Sequence, residues 1–274
     1  MCNGQPGATI GGDFNLAIHR MVERLRIRDF STFAIELIVV IIGVFIGIQV
    51  SNWNDARLDR IRAHSYLERI RSDLDTDILS YQDRLRFWRQ VSDYGALGLG
   101  FANDGDLKGL HEQDLLLAYF QASQVALFYT TRSTYDELKS GGERGLISDL
   151  ELRKQLAVYY TNADNPVLNE RPAYREHLRG LIPLRIQNHI WEECYRSNGD
   201  SQTLLDCDPA VDPEEAARLV AMISGNSQLM SELRYWMSTM RVARLIGSDR
   251  LEFARELRQM VNSQVEAASA GGGS

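Results

Sequence analysis

The sequence predicts an all-α protein, with an N-terminal single transmembrane helix followed by an extracytoplasmic helical bundle. Three observations lead there. Residues 33–50 are an almost uninterrupted apolar run, the apolar residues beyond it recur at three- and four-residue steps, and no period-two alternation is long enough for a sheet. A chain of 274 residues can build its own core, and 44% hydrophobic with 24% charged residues excludes global disorder. The expected organisation is a disordered segment over 1–13, an amphipathic juxtamembrane helix over 14–32, and the transmembrane helix over 33–53. An α-helical extracytoplasmic domain over 54–268 and a flexible tail over 269–274 complete it.

Residues 1–13, MCNGQPGATIGGD, are Gly-rich and polar and are expected to lack order. Between 14 and 32, Phe14, Ile18, Met21, Val22, Leu25 and Ile27 stand opposite Arg20, Arg24 and Arg28, the pattern of a helix lying against anionic head groups. Then comes FAIELIVVIIGVFIGIQV, with Glu36 as its charge and Gln49 as its amide. At about 1.5 Å per residue this helix is ~27 Å long, close to the hydrocarbon thickness of a bilayer. Trp53 follows where an interfacial aromatic belongs. The residues past the run, IQVSNWNDARL, hold no small-x-small cleavage site, so the segment reads as an uncleaved signal anchor.

Glu36, Gly43, Gly47 and Asn54 fall on one helical stripe. Gly43 and Gly47 form a G-x-x-x-G, whose missing side chains let two helix backbones approach in lipid, so the stripe is a candidate self-association face. Glu36 on that stripe either faces a protein partner or points back to the head groups.

Glu36 through Asn54, ELIVVIIGVFIGIQVSNWN, resembles the signature of a bacterial family of single-span membrane proteins, domain of unknown function 6090. Glu36, Gly43, Gln49, Asn52, Trp53 and Asn54 match at the family's spacing; Gly47 replaces the usual Ala, and Ser51 the first Asn. A second patch, Thr134–Tyr160, resembles the family's Thr-Tyr-acid-acid-Leu-Lys-Ser-x-Gly and Leu-Arg-x-x-Leu…Tyr-Tyr blocks. The resemblance implies a membrane anchor plus a helical domain and brings no catalytic residues with it.

Beyond the span, Leu67, Ile70, Leu74, Ile78, Tyr81, Leu85 and Trp88 predict one helix from the membrane to about residue 95, packed on the domain's own helices, with Arg69, Asp73, Asp77 and Arg84 on its outer face. Gly98, Gly100 and residues 103–106 predict a loop, and 111–123 a helix. Overlapping capping boxes at Ser133–Asp136 and Thr134–Glu137 open a short helix that Gly141-Gly142 closes, and Ser148–Glu151 opens one to Tyr160. A helix near 173–195 should be kinked or interrupted at Pro183, and 196–212 reads as a polar loop. Asp212-Pro213 starts another helix, and a last one runs from beyond Asn226 to about Ala268.

Chemistry-bearing constellations are sparse. His189, Glu192, Glu193 and Cys194 share a short helical stretch, but no second ligand pair completes a metal site, and no metal or other cofactor is expected. Asp200, Asp206, Asp208 and Asp212 lack the Gly and Glu of a calcium loop and read as caps and solvated carboxylates. No nucleophile elbow, P-loop or dinucleotide fingerprint occurs. Trp88, Trp191, Trp236 and Tyr159-Tyr160 read as core, or as the lining of a ligand cavity.

Residues 1–53 hold four acids and four bases, so the net charge of −7 lies entirely in 54–274 and argues against nucleic acid as a partner. The expected partners are the lipid bilayer and a second copy or another membrane protein. The expected location is the bacterial inner membrane, single-pass, with the N-terminus cytoplasmic and the larger domain periplasmic. Arg20, Arg24, Arg26 and Arg28 before the span exceed Arg57, Arg60 and Arg62 after it by one. Cys194 and Cys207 flank a polar loop long enough to let their sulfurs meet as a disulfide, which persists in an oxidising compartment. Two separate free thiols in a cytoplasmic domain are the alternative. The expected role is a non-enzymatic membrane-anchored protein with an interaction or scaffolding domain; a single-span sensor binding a small molecule is the alternative.

Overall fold

A computed structural model describes residues 13–162, 165–199 and 201–271, with side chains from 32 to 268. The chain is mostly helical, and its N-terminal helix carries the apolar run. It divides into two units, Met1–Ile61 and Arg62–Ser274. Helix α1, Asp13–Asp104, contributes residues 13–61 to the first and 62–104 to the second.

In the first unit the backbone is helical from Asp13 onward, so the expected separate juxtamembrane helix is the start of α1 rather than an element of its own. No proline interrupts the stretch, and the seam between the basic and apolar segments carries no helix stop. The expected disorder of 1–13 falls, apart from Asp13, outside the described residues, as do the side chains that would define an amphipathic face.

The second unit continues with α2 (Glu112–Ala122), α3 (Ser133–Ser140), α4 (Leu150–Thr161), α5 (Ala173–Leu181) and α6 (Leu184–Glu193). A small antiparallel hairpin, β1 (Tyr195–Ser197) and β2 (Gln202–Leu204), precedes α7 (Pro213–Ser224) and α8 (Ser227–Gly271). Apart from Tyr195, expected as the last residue of the preceding helix, the hairpin lies inside the expected polar loop. Its strands are three residues each, too short to leave a period-two pattern. Helix α8 runs through Gly271, past the expected end at Ala268 and into the segment read as a tail.

Residues 62–104 of α1 lie antiparallel to α8: Asp75 pairs with Arg258, and a Cβ placed on Gly247 would lie 3.0 Å from the Trp88 ring. Two cores form along this pair. One gathers Tyr81, Trp88 and Val91 with α2, α5, α6, α7 and the first half of α8; the other gathers Ile70 and Leu74 with α3, α4 and Ala254, Leu257 and Val261. The apolar stripe of α1 is therefore covered by the domain's own helices, as its irregular steps predict.

Several local expectations shift. Gly98 and Gly100 lie within α1, and the loop begins at Gly105, whose φ of 70° is costly for other residues. Gly98 serves packing: an added Cβ would meet the buried Tyr119 ring at 2.6 Å. The N-cap of α3 is Arg132, without a side-chain cap, and that of α4 is Asp149, which accepts from Leu152 N–H at 3.0 Å. The N-cap of α3 thus lies one or two residues before the two overlapping boxes, and that of α4 one residue after Ser148. Pro183 does divide α5 from α6, and Asp212 caps α7 by accepting from the Glu214 and Glu215 N–H groups.

Two charges expected on the outer face of α1 are buried: Asp77 fully, and Arg84 to 7% exposure. Arg84 pairs with Asp83 at 3.2 Å and donates to Gln202 Oε1 at 2.8 Å, where the hairpin packs on α1. Gln90 completes the docking, donating to Leu204 O at 3.0 Å and accepting from Leu204 N–H at 3.2 Å. Asp77 sits between the two cores. Its Oδ1 accepts from the Thr131 N–H at 2.7 Å and its Oδ2 from the Tyr159 hydroxyl at 2.8 Å. Burial pushes its pKa above the ordinary carboxylate value, and these two bonds pull part of the way back.

Candidate functional site

The residues singled out in the first unit all lie on the exposed surface of α1. Glu36, Gly43, Gly47, Gln49, Asn52, Trp53 and Asn54 are exposed, and the space where a Cβ on Gly43 or Gly47 would sit is open. From Phe33 to Val50, thirteen large apolar side chains are 49–63% exposed. The best eighteen-residue window of this helix has a mean hydropathy of 2.6, with none of it buried.

In the second unit the structure pairs Cys194 with Cys207, their Cα atoms 5.5 Å apart, a separation normal for a disulfide. The bridge closes the base of the hairpin. His189 contacts the Asp208 carbonyl through Nε2 at 3.0 Å, Asp208 caps Ala210, and Asp212 caps α7. Among the described residues no three His, Cys, Asp or Glu side chains come together as a metal site. A cavity of about 610 Å³ opens beside Cys207, lined by His111–Asp114 and Asp206–Pro209. Its Asp114 and Asp208 carboxylates accept from backbone N–H groups of their own turns. A groove of about 300 Å³ between Leu85, Leu245 and Ser248 carries Arg89, Arg241 and Arg244 on the surface.

A more structured constellation stands at the C-terminal end of α2, where every helix leaves carbonyls without an intrahelical partner. Here the end is buried, and side chains from elsewhere serve those carbonyls. The Tyr174 hydroxyl donates to Tyr119 O at 3.0 Å, Trp236 Nε1 to Ala122 O at 3.0 Å, and Arg175 Nη1 to Ser123 O at 2.8 Å. Helix α5 is amphipathic, burying Tyr174 and Leu178. Arg175 and Arg179 each follow one of these by one position, which leaves them half-buried at the margin of that face.

Arg179 donates from Nε to Ser123 Oγ at 3.1 Å and from Nη2 to Gln124 Oε1 at 3.0 Å; Arg175 Nη1 reaches the same Gln124 oxygen at 3.4 Å. The Arg179 guanidinium also lies 4.8 Å from the Phe120 ring centroid and 5.0 Å from that of Trp191. All these acceptors are neutral. Among the described residues, neither arginine forms an ion pair with a carboxylate. Burial, and then the neighbouring Arg175, push the Arg179 pKa down to about 9, so at neutral pH it remains charged; burial, and then Arg171, also lower that of Arg175. The end of α2 offers roughly half a negative charge against these two positive ones.

Trp191 reads in the sequence as core or cavity lining and Asp77 as an outer-face charge of α1, while Arg175 and Arg179 carry no sequence motif. Trp88 and Trp236 are core, at 1% exposure each, whereas Trp191 is half-buried beneath Arg179. The detectable signal for the arginines was two like charges at i,i+4, mildly unfavourable on an isolated helix.

No family model matches the sequence, and comparison with curated proteins and with solved structures returns no match. The likeness to the single-span family thus rests on the residues quoted for it at 36–54 and 134–160.

Proposed function

We propose that the chain is a non-enzymatic, single-span membrane protein of the bacterial inner membrane, whose helical bundle outside the cytoplasm makes protein contacts as a self-associating chain or a subunit of an envelope complex. One observation carries the reading: thirteen large apolar side chains of one helix are each about half exposed, and none is buried against the described residues. Burying an exposed side chain of this kind yields about 1.5–3 kcal/mol. Allowing for the area already covered, transfer of the whole set from water gains on the order of 10 kcal/mol or more. A lipid bilayer accepts such a helix with its backbone bonds satisfied internally. The Cys194–Cys207 pair supports an oxidising compartment for the larger unit, and the open Gly43/Gly47 stripe supports association of the span.

Alkaline carbonate washing of membranes from cells expressing the full chain tests the anchor. The chain is expected to stay in the membrane pellet; its release into the supernatant would overturn the reading.

A second reading, a sensor whose domain binds a small molecule, is favoured by the Arg175/Arg179 pair, two half-buried cations held by neutral groups.

A further inference from the structure

Arg175 and Arg179 are costly residues to place where they are. Each is half-buried, the two share one Gln124 oxygen, and no carboxylate among the described residues offsets them. A half-buried cation facing only neutral acceptors and a second cation gives up part of its hydration with no countercharge in return. Capping α2 accounts for one of the two charges at most. Arg171, exposed one turn earlier on the approach to α5, strengthens the positive field at Arg175.

The donors left over define the complementary ligand. Arg175 spends Nη1 on Ser123 O and Gln124 Oε1, while its Nε and Nη2 have no acceptor among the described residues. Those two N–H groups form the side-on edge of a guanidinium, the fork that takes both oxygens of one carboxylate. Arg179 spends Nε and Nη2 and keeps Nη1. Its plane is fixed by the Phe120 and Trp191 rings, so the pair is ordered before any ligand arrives. Trp191 and Tyr195, edge to face at 5.0 Å and both half-buried, place aromatic surface on the same side of the fold.

We propose that Arg175 and Arg179 form a binding site for a small carboxylate with an apolar body, its carboxylate on the open Nε/Nη2 edge of Arg175 and its second contact at Arg179 Nη1. This inference rests on the sensing reading and names the ligand class for it.

The test uses the full chain in non-ionic detergent, titrated calorimetrically with benzoate, with benzamide as the uncharged analogue of the same shape, and with inorganic phosphate, all at matched ionic strength. Benzoate is expected to bind saturably, at least tenfold more tightly than benzamide. Arg175→Lys keeps the charge without the fork, and Arg175→Gln keeps a donor for Ser123 O; both are expected to fold and to lose that preference by tenfold or more. Thermal melting of each variant verifies folding, and should Arg175→Gln not fold, Arg175→Lys decides alone. Benzamide binding as well as benzoate, or benzoate binding undiminished in the variants, overturns the inference while leaving the sensing reading intact. Phosphate bound in preference to benzoate overturns the carboxylate assignment. Failure of all three probes to bind the wild-type chain removes the site and the support it lends to sensing.

Discussion

In the variant Asp77→Ala, the Thr131 N–H and the Tyr159 hydroxyl lose their shared acceptor within the protein. A buried donor left without a partner costs about 1–3 kcal/mol, and two such donors roughly 2–6 kcal/mol. Deleting a desolvated carboxylate offsets part of this, so the net loss should be about 2–4 kcal/mol. For a domain of this size each kcal/mol moves the melting temperature by roughly 2–4 °C, so the drop should be about 4–16 °C. Asp77→Asn keeps an oxygen for Thr131 and an amide that can donate to the Tyr159 oxygen, and should lose less than half as much. The pH dependence has a defined sign. Burial raises the Asp77 pKa above its unfolded value of about 3.9, so over a window above that pH the folded chain holds a proton the unfolded chain has released. The stabilisation from this group is complete below pH ~3.9 and is lost as pH rises through the folded value. Wild type should therefore lose ground against Asp77→Asn as pH rises from about 4. Melting curves by circular dichroism in detergent, taken across that range, measure all three chains. An Asp77→Ala variant that melts with wild type, or a difference between wild type and Asp77→Asn that does not change with pH, would refute the reasoning.

At Gly98 an added Cβ would lie 2.6 Å from a ring pinned by its hydroxyl to the Gly98 carbonyl at 2.8 Å. Gly98→Ala should accordingly destabilise by about 1–3 kcal/mol through overpacking, seen as a lower denaturation midpoint; an unchanged midpoint means the ring moves freely. Cys194→Ser opens a bridge of sequence separation 13 and should cost about 3 kcal/mol in the chain-entropy model, with reductant lowering the wild-type midpoint by the same amount. Equal midpoints with and without reductant would count against the bridge. Replacing Gly43 and Gly47 by Ile should weaken association of the span in a membrane two-hybrid assay, and an unaltered signal would make those glycines incidental.

What the sequence revealed was local. The apolar run, the break at Pro183 and the Asp212-Pro213 helix start are each encoded within a few neighbouring residues. What it concealed depends on partners far along the chain. Asp77 follows Leu74 by three positions and precedes Tyr81 by four, which sets it beside the apolar stripe; the hydrogen bonds that let an acid stay there come from Thr131 and Tyr159, 54 and 82 residues away. Arg175 and Arg179 are likewise defined by Ser123 and Gln124, more than 50 residues earlier. Gly98 conceals its role for a related reason, since glycine signals a loop locally while its contact with Tyr119 is tertiary. The hairpin escaped because its strands are three residues long, too short a signal to read as a strand; it is docked by Arg84 and Gln90 and buries Leu204 in the core.

The central proposal, a membrane-anchored domain standing outside the cytoplasm, is tested most directly by the state and accessibility of its bridge-forming cysteines. The measurement is labelling of intact cells, outer membrane opened, with a membrane-impermeant maleimide on a Cys2→Ser background, with and without an impermeant phosphine reductant. Cys194 and Cys207 should be unreactive without reductant and fully labelled with it while the inner membrane is still sealed. Labelling that appears without reductant, and only after the inner membrane is permeabilised, would place the domain in the cytoplasm and contradict the account.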